Sequence, residues 1–158
     1  MIRQVDKYML VAIEQARRNL KSRDGGPFGA CIVKDGEVLS AARNTVLKND
    51  ATCHAEINAI RKASRKIGSF DLSGCVIYST TEPCPMCFAA IHWARIDAIV
   101  YGTTTRQAKQ IGFNELVITD ARLKAIGNSR VVLIRSRLAG ECRELFRQWA
   151  LLPDRKMY

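Results

Sequence analysis

The residues with the most chemistry in this chain of 158 residues are one histidine, two cysteines and one glutamate, held in two short clusters. His54, Ala55 and Glu56 form the first cluster; Glu82, Pro83, Cys84, Pro85, Met86 and Cys87 form the second. One imidazole and two thiolates are a good set of three zinc ligands, and a catalytic zinc site keeps three protein ligands and leaves the fourth position to water. Cysteines three apart at a helix start project toward one side of its first turn, where exposed amide dipoles favour thiolate over thiol. Glu56 stands close enough to reach that fourth position without being a ligand. Zinc brings the pKa of water toward neutrality, and a neighbouring carboxylate can take the released proton and deliver it to a substrate. Hydrolytic chemistry is expected. A Cys-x-x-Cys alone also serves as a redox dithiol or half of a structural zinc site. A redox pair has no need of Glu56, and a structural site calls for a fourth protein ligand.

These residues have to be brought together by the elements around them. Val5 to Leu20 carries Tyr8, Met9, Ala12, Ile13, Ala16 and Leu20 at the spacing of a helix with one buried stripe. Asp24, Gly25, Gly26 and Pro27 break it. Gly29–Val33 and Glu37–Ala42 read as a hairpin turning at Asp35 and Gly36, placed at a sheet edge. A second helix runs from His54 to Ile67, a strand from Cys75 to Ser79, a helix from Pro85 to Arg95 and a strand from Asp97 to Tyr101. Alternating helices and strands of this kind predict a layered α/β domain with parallel strands joined by crossover helices. Both helix starts, at His54 and at Cys84, then fall at one edge of the sheet. Gln107 to Ala125, interrupted by Gly112, gives no clear element; Arg130–Ile134 reads as the last strand and Gly140–Leu151 as the last helix.

Composition narrows the class. Apolar residues make up 47% and charged residues 25%, the balance of an ordinary globular domain, and no apolar run is long enough to span a bilayer. The first residues, with Arg3, Asp6 and Lys7, lack a signal-peptide core, so a cytoplasmic location is expected. Six cysteines in such a chain are expected to be reduced, with Cys31, Cys53, Cys75 and Cys142 as small buried hydrophobes. The net charge of +10 is a weak sign of nucleic acid, because the cations are spread from Arg3 to Lys156 without a block. His92, the other histidine, is expected to pack or hydrogen-bond inside its helix.

His-x-Glu followed by Pro-Cys-x-x-Cys is the pattern of zinc deaminases, and the chain resembles the cytidine deaminase-like superfamily, most closely its bacterial guanine deaminases. Gly25 to Ala30, Val33 to Gly36, His54 to Glu56, Ala59 to Ala63, Glu82 to Cys87 and Trp93 to Arg95 carry the likeness, in order, over about two thirds of the chain. The resemblance implies a single three-layer α/β/α domain with a central five-stranded mixed sheet and helices on both faces. It implies Zn2+ held by His54, Cys84 and Cys87. Glu56 would shuttle protons as water attacks the amino-bearing ring carbon and ammonia leaves. Glu115, the second catalytic carboxylate, would face the amino group of the purine. The implied substrate-binding residues are Phe28 as an aromatic wall, Asn44 on the purine ring, Ala55, Trp93 as a second aromatic, and Tyr158 from the tail. The resemblance further implies guanine as the small-molecule substrate, xanthine and ammonia as products, and a homodimer whose C-terminal helix and tail are swapped onto the partner. Ile118 to Ser136 departs from that family's pattern.

Three competing readings are retained. A tRNA-specific adenosine deaminase, making inosine, would share the zinc motif and use the positive charge; a cytosine or guanosine deaminase is the second, since a pocket that accepts free guanine differs from one admitting a ribose by only a few side chains. A zinc module that binds nucleic acid without catalysis would have no use for Glu56.

Overall fold

The computed structural model describes residues 2–158, with side chains from Asp6 onward; the side chains of Arg3 and Val5 lie outside the described residues. The chain runs α1 (Ile2–Ser22), β1 (Gly29–Lys34), β2 (Glu37–Arg43), α2 (Ala55–Ile67), β3 (Cys75–Thr81) and α3 (Pro85–Trp93). It continues through β4 (Ala98–Thr103), α4 (Thr105–Gln110), α5 (Asp120–Ile126), β5 (Val132–Ile134) and α6 (Ala139–Ala150). Five strands form one sheet in the order β2-β1-β3-β4-β5. β1 is antiparallel to both β2 and β3, whereas β3, β4 and β5 are parallel. This is the expected mixed sheet.

The hairpin is set by two residues. Lys34 pairs with Glu37, so Asp35 and Gly36 alone make the turn, with φ of 49° and 81°. Two consecutive left-handed residues give the tight turn whose twist matches that of the flanking strands, which explains Asp-Gly at this point.

Strand periodicity then sorts the side chains onto two faces. Ala30 and Ile32 of β1, Ile77 of β3 and Ile99 of β4 join Ala55, Ala59 and Ala63 of α2 and Phe88 and Ile91 of α3. On the opposite face, Cys31, Val33, Tyr78 and Val100 meet Tyr8, Met9, Ala12, Ile13 and Ala16 of α1 and Cys142 and Leu145 of α6. The result is three layers. Met9 and Ile13 are wholly buried, and burial of each contributes roughly 1.5–3 kcal/mol. Strand β1 is buried on both faces because helices cover both; β5, at the far edge, exposes Val132.

The stretch that gave no clear element resolves into two short helices around an irregular segment. Thr104 accepts from the Gln107 N–H, and Gln107 reaches back to the Thr104 N–H, a capping box that starts α4. Thr119 caps α5 by accepting from the Arg122 N–H. The last strand begins at Val132 and not at Arg130, where the chain after α5 is still irregular. No described helix is long and apolar enough to cross a membrane.

Candidate active site

Two helix starts meet at one end of the sheet. His54 is the residue before α2 and Cys84 the residue before α3; both have extended backbones and neither side chain caps its own helix. Pro85 fixes the first turn of α3 without costing a hydrogen bond, and Cys87 lies one turn in. His54 Nδ1 stands 3.6 Å from Cys84 Sγ and 3.6 Å from Cys87 Sγ. All three donor atoms lie within 4.8 Å of one another. Tetrahedral bonds of zinc length to nitrogen and sulfur place those atoms about 3.6 Å apart. The three donors therefore fit a zinc ion without rearrangement.

Electrostatics favour the same arrangement. The Cys84 thiol is pushed down to about 4, mainly by the hydrogen bond with Cys87 and with help from His54. Burial raises Cys87. Burial lowers the His54 pKa, but its bonds and charge contacts with Cys84 and Glu56 outweigh that and leave it raised. Glu56, in the first turn of α2, is buried; Ser79 Oγ donates to its Oε1 at 2.9 Å and Cys87 Sγ to its Oε2 at 3.5 Å. Burial raises its pKa, opposed by His54.

Above the triad is a cavity of about 130 Å3, lined by Phe28, Asn44, Glu56, Glu115 and Tyr158 among others. Phe28 and Phe113 meet edge-on, ring centroids 4.8 Å apart, and Phe113 meets Tyr158 in the same way at 5.4 Å. Tyr158 accepts from the Gly26 N–H at 2.7 Å and donates to Asn44 Oδ1 at 2.9 Å. Its carbonyl accepts from the Asn114 N–H. The tail thus closes over the site of its own chain. Gly25 permits this closeness, since a Cβ there would collide with Asn44 Oδ1 and lie 2.9 Å from the Asn44 carbonyl. Glu115 is half-buried, and burial, helped by the nearby Cys84, lifts its carboxyl to about 7. A larger surface depression of about 620 Å3, near His92, Arg95 and Val132, holds none of these donors.

Six of the ten residues named from sequence as functional line the cavity with Cys84, and Cys87 sits directly beneath, against His54. Two do not. Ala55 puts its methyl into the core beside Ala59. Trp93 is 76% exposed, edge-on to His92, and lines no part of this cavity. It lies six residues after Cys87, about 240° around the helix axis, so α3 carries it away from the metal donors. His92 meets Ser129 Oγ at 3.1 Å.

Other residues in the site had no assigned role. Asn19, wholly buried, donates to the carbonyls of Gly26 and Asn44, both at 2.8 Å. It was legible as the one amide on the apolar stripe of α1. Glu82 stands inside the motif from Glu82 to Cys87, but its partners are distant in sequence, as are the partners of Phe113, two residues before Glu115.

Comparison with known proteins decides the family. The profile of the cytidine and deoxycytidylate deaminase zinc-binding region matches residues 2–103. The chain belongs to this deaminase family. This deaminase is 41% identical to the guanine deaminase of Bacillus subtilis over 114 residues, 72% of this chain and 73% of that protein. It is 35% identical to the tRNA-specific adenosine deaminase of Streptococcus pyogenes serotype M1 over 136 residues, 85% of this chain and 77% of that protein. Its fold superposes on the guanine deaminase of Nitrosomonas europaea with a TM-score of 0.84 at 26% identity, over 93% of this chain and 85% of that one. The deaminase is a zinc-dependent aminohydrolase, and the reading as a zinc module without catalysis falls.

Proposed function

We propose that this deaminase hydrolyses guanine to xanthine and ammonia. Closure of the small cavity by the chain's own Tyr158 carries the reading. A cavity of about 130 Å3, well under the roughly 300–1,000 Å3 that holds drug-sized ligands, suits a flat base better than a nucleotide tethered to RNA.

The purine lies against Phe28. Asn44 Oδ1 is occupied by the Tyr158 hydroxyl and the Val46 N–H, so the amide nitrogen is the group that meets the ring. Ala55 lies at the first position of α2 with its methyl in the core, so a substrate contact by this residue would be made through its backbone N–H. When bound between His54, Cys84 and Cys87, zinc supplies the Lewis acidity that makes water a nucleophile at neutral pH. Glu56 takes the proton of that water and gives it to the ring nitrogen beside C2. With the water oxygen added at C2, Glu56 takes the remaining proton from the new C2 hydroxyl and passes it to the amine as the C2–N bond breaks, and ammonia leaves. Glu115 accepts a hydrogen bond from the same amino group. Adenine has no amino group at C2 and would leave this carboxylate unpaired.

The relatives that deaminate tRNA adenosine and the net charge of +10 favour the alternative substrate; the tail stands against it. Six free cysteines accord with a reducing, cytoplasmic setting. Ammonia release is to be measured with guanine, guanosine, adenine, cytosine and an adenosine-bearing tRNA stem-loop. Turnover of guanine alone is expected. Turnover of the stem-loop in its place would overturn the proposal.

A further inference from the structure

One buried carboxylate beside the metal donors takes no part in the chemistry above. Glu82, 4% exposed, stands two residues before Cys84. Its Oε1 accepts from the Asp120 N–H at 3.0 Å and from the Tyr101 hydroxyl at 3.3 Å, and its Oε2 accepts from the Thr105 N–H at 3.4 Å. Thr105 is the first residue of α4 and Asp120 the first residue of α5. Both donors are among the helix-start N–H groups that have no partner within a helix. One side chain therefore fastens both ends of the excursion from residue 105 to residue 120.

That excursion carries Phe113 and Glu115 into the cavity. Its irregular part, residues 111–119, has short-range bonds from Glu115 N–H to the Phe113 carbonyl and from Ile118 N–H to the Leu116 carbonyl, and one long-range bond from Asn114 N–H to the Tyr158 carbonyl. The short-range bonds shape the segment and the Asn114 bond ties it to the tail; the Glu82 bonds are what tie its two ends to the loop that carries Cys84. Holding the two ends at one point limits where the middle can go, and a group placed for reaction depends on that limit.

We infer that Glu82 is a positioning residue: it ties the Glu115 segment to the loop that carries Cys84, and so sets where Glu115 stands relative to the metal donors. The inference rests on Glu115 facing the substrate, as proposed above. Glu82 touches no reacting atom in this scheme and acts only through Glu115.

Proline substitution gives a clean test. A proline at the first position of a helix costs no helical hydrogen bond. The residues before both positions already have the extended backbone that proline requires, with ψ of 158° at Thr104 and 148° at Thr119. Asp120→Pro and Thr105→Pro each delete one N–H donated to Glu82, and Asp120→Asn controls for loss of the carboxylate. Zinc content and thermal unfolding report whether each variant folds. The assay is kcat/KM on whichever substrate the wild type deaminates, so the inference is tested even if that substrate is not guanine.

Asp120→Pro is expected to lower kcat/KM roughly tenfold beyond Asp120→Asn, the effect of one hydrogen bond to a charged group. Thr105→Pro, losing the longer bond, is expected to cost less. In a Glu115→Gln background the Asp120→Pro loss is expected to shrink below about twofold, because interacting residues are not additive. Equal loss in both backgrounds would overturn the inference. So would wild-type kcat/KM in folded, zinc-loaded Asp120→Pro and Thr105→Pro.

Discussion

Replacing Tyr158 by phenylalanine removes one oxygen atom and leaves the ring that meets Phe113. That oxygen accepts from the buried Gly26 N–H and donates to Asn44 Oδ1. Asn44 Oδ1 keeps the Val46 N–H at 3.0 Å, whereas the Gly26 N–H is left without an acceptor. An orphaned buried donor costs about 1–3 kcal/mol, which is roughly 5- to 150-fold in the equilibrium that docks the tail. Substrate is held only while the tail is docked, so affinity falls with the docked fraction. Tyr158→Phe is therefore expected to raise the KM for guanine by up to that factor, with zinc content and melting temperature close to wild type. Steady-state kinetics by xanthine absorbance, with metal analysis on the same preparation, make the check. A KM no higher than that of the wild type would refute closure of the pocket by this hydroxyl.

Three further outcomes are expected. Cys84→Ala loses zinc by metal analysis and melts at lower temperature, since metal affinity is coupled to folding; full zinc content would contradict the ligand assignment. Glu115→Gln lowers kcat/KM on guanine by roughly 10- to 100-fold, the loss of a charge-assisted hydrogen bond; a loss under about threefold would remove Glu115 from the site. Asp120 is wholly buried with both carboxylate oxygens unpartnered, and burial, aided by Glu82, lifts its pKa to about 8. The folded state then holds a proton that the unfolded chain releases above its ordinary pKa of 3.8. Its stability relative to Asp120→Asn is accordingly lost as pH rises from about 4 to about 8. Urea unfolding across that range measures it, and a difference constant with pH would contradict the burial argument.

The grouping of His54, Cys84 and Cys87 with Glu56 was legible because local rules place them. A residue just before a helix has an extended backbone, and the Cys-x-x-Cys spacing spans one turn, so His54, Cys84 and Cys87 need only the sheet to align two helix starts. The Asp35-Gly36 hairpin was legible for the same reason. What escaped depends on contacts between distant parts of the chain. Tyr158 reaches Gly26 across 132 residues and Asn44 across 114, and sequence alone left open whose site the tail closes. Glu82 was visible inside its motif, but its partners Thr105 and Asp120 begin helices too short for apolar periodicity to reveal. Trp93 was placed near the pocket by family likeness, while the turn of α3 from Cys87 takes it to the surface of its own chain.

The most direct test of the account is guanine turnover in heavy-oxygen water by the zinc-loaded enzyme and by Glu56→Gln. The account predicts xanthine carrying one heavy oxygen at C2, with one ammonia per xanthine. Glu56→Gln should keep its zinc and release neither product. Undiminished turnover by Glu56→Gln, or no turnover of guanine by the zinc-loaded wild type, would contradict it.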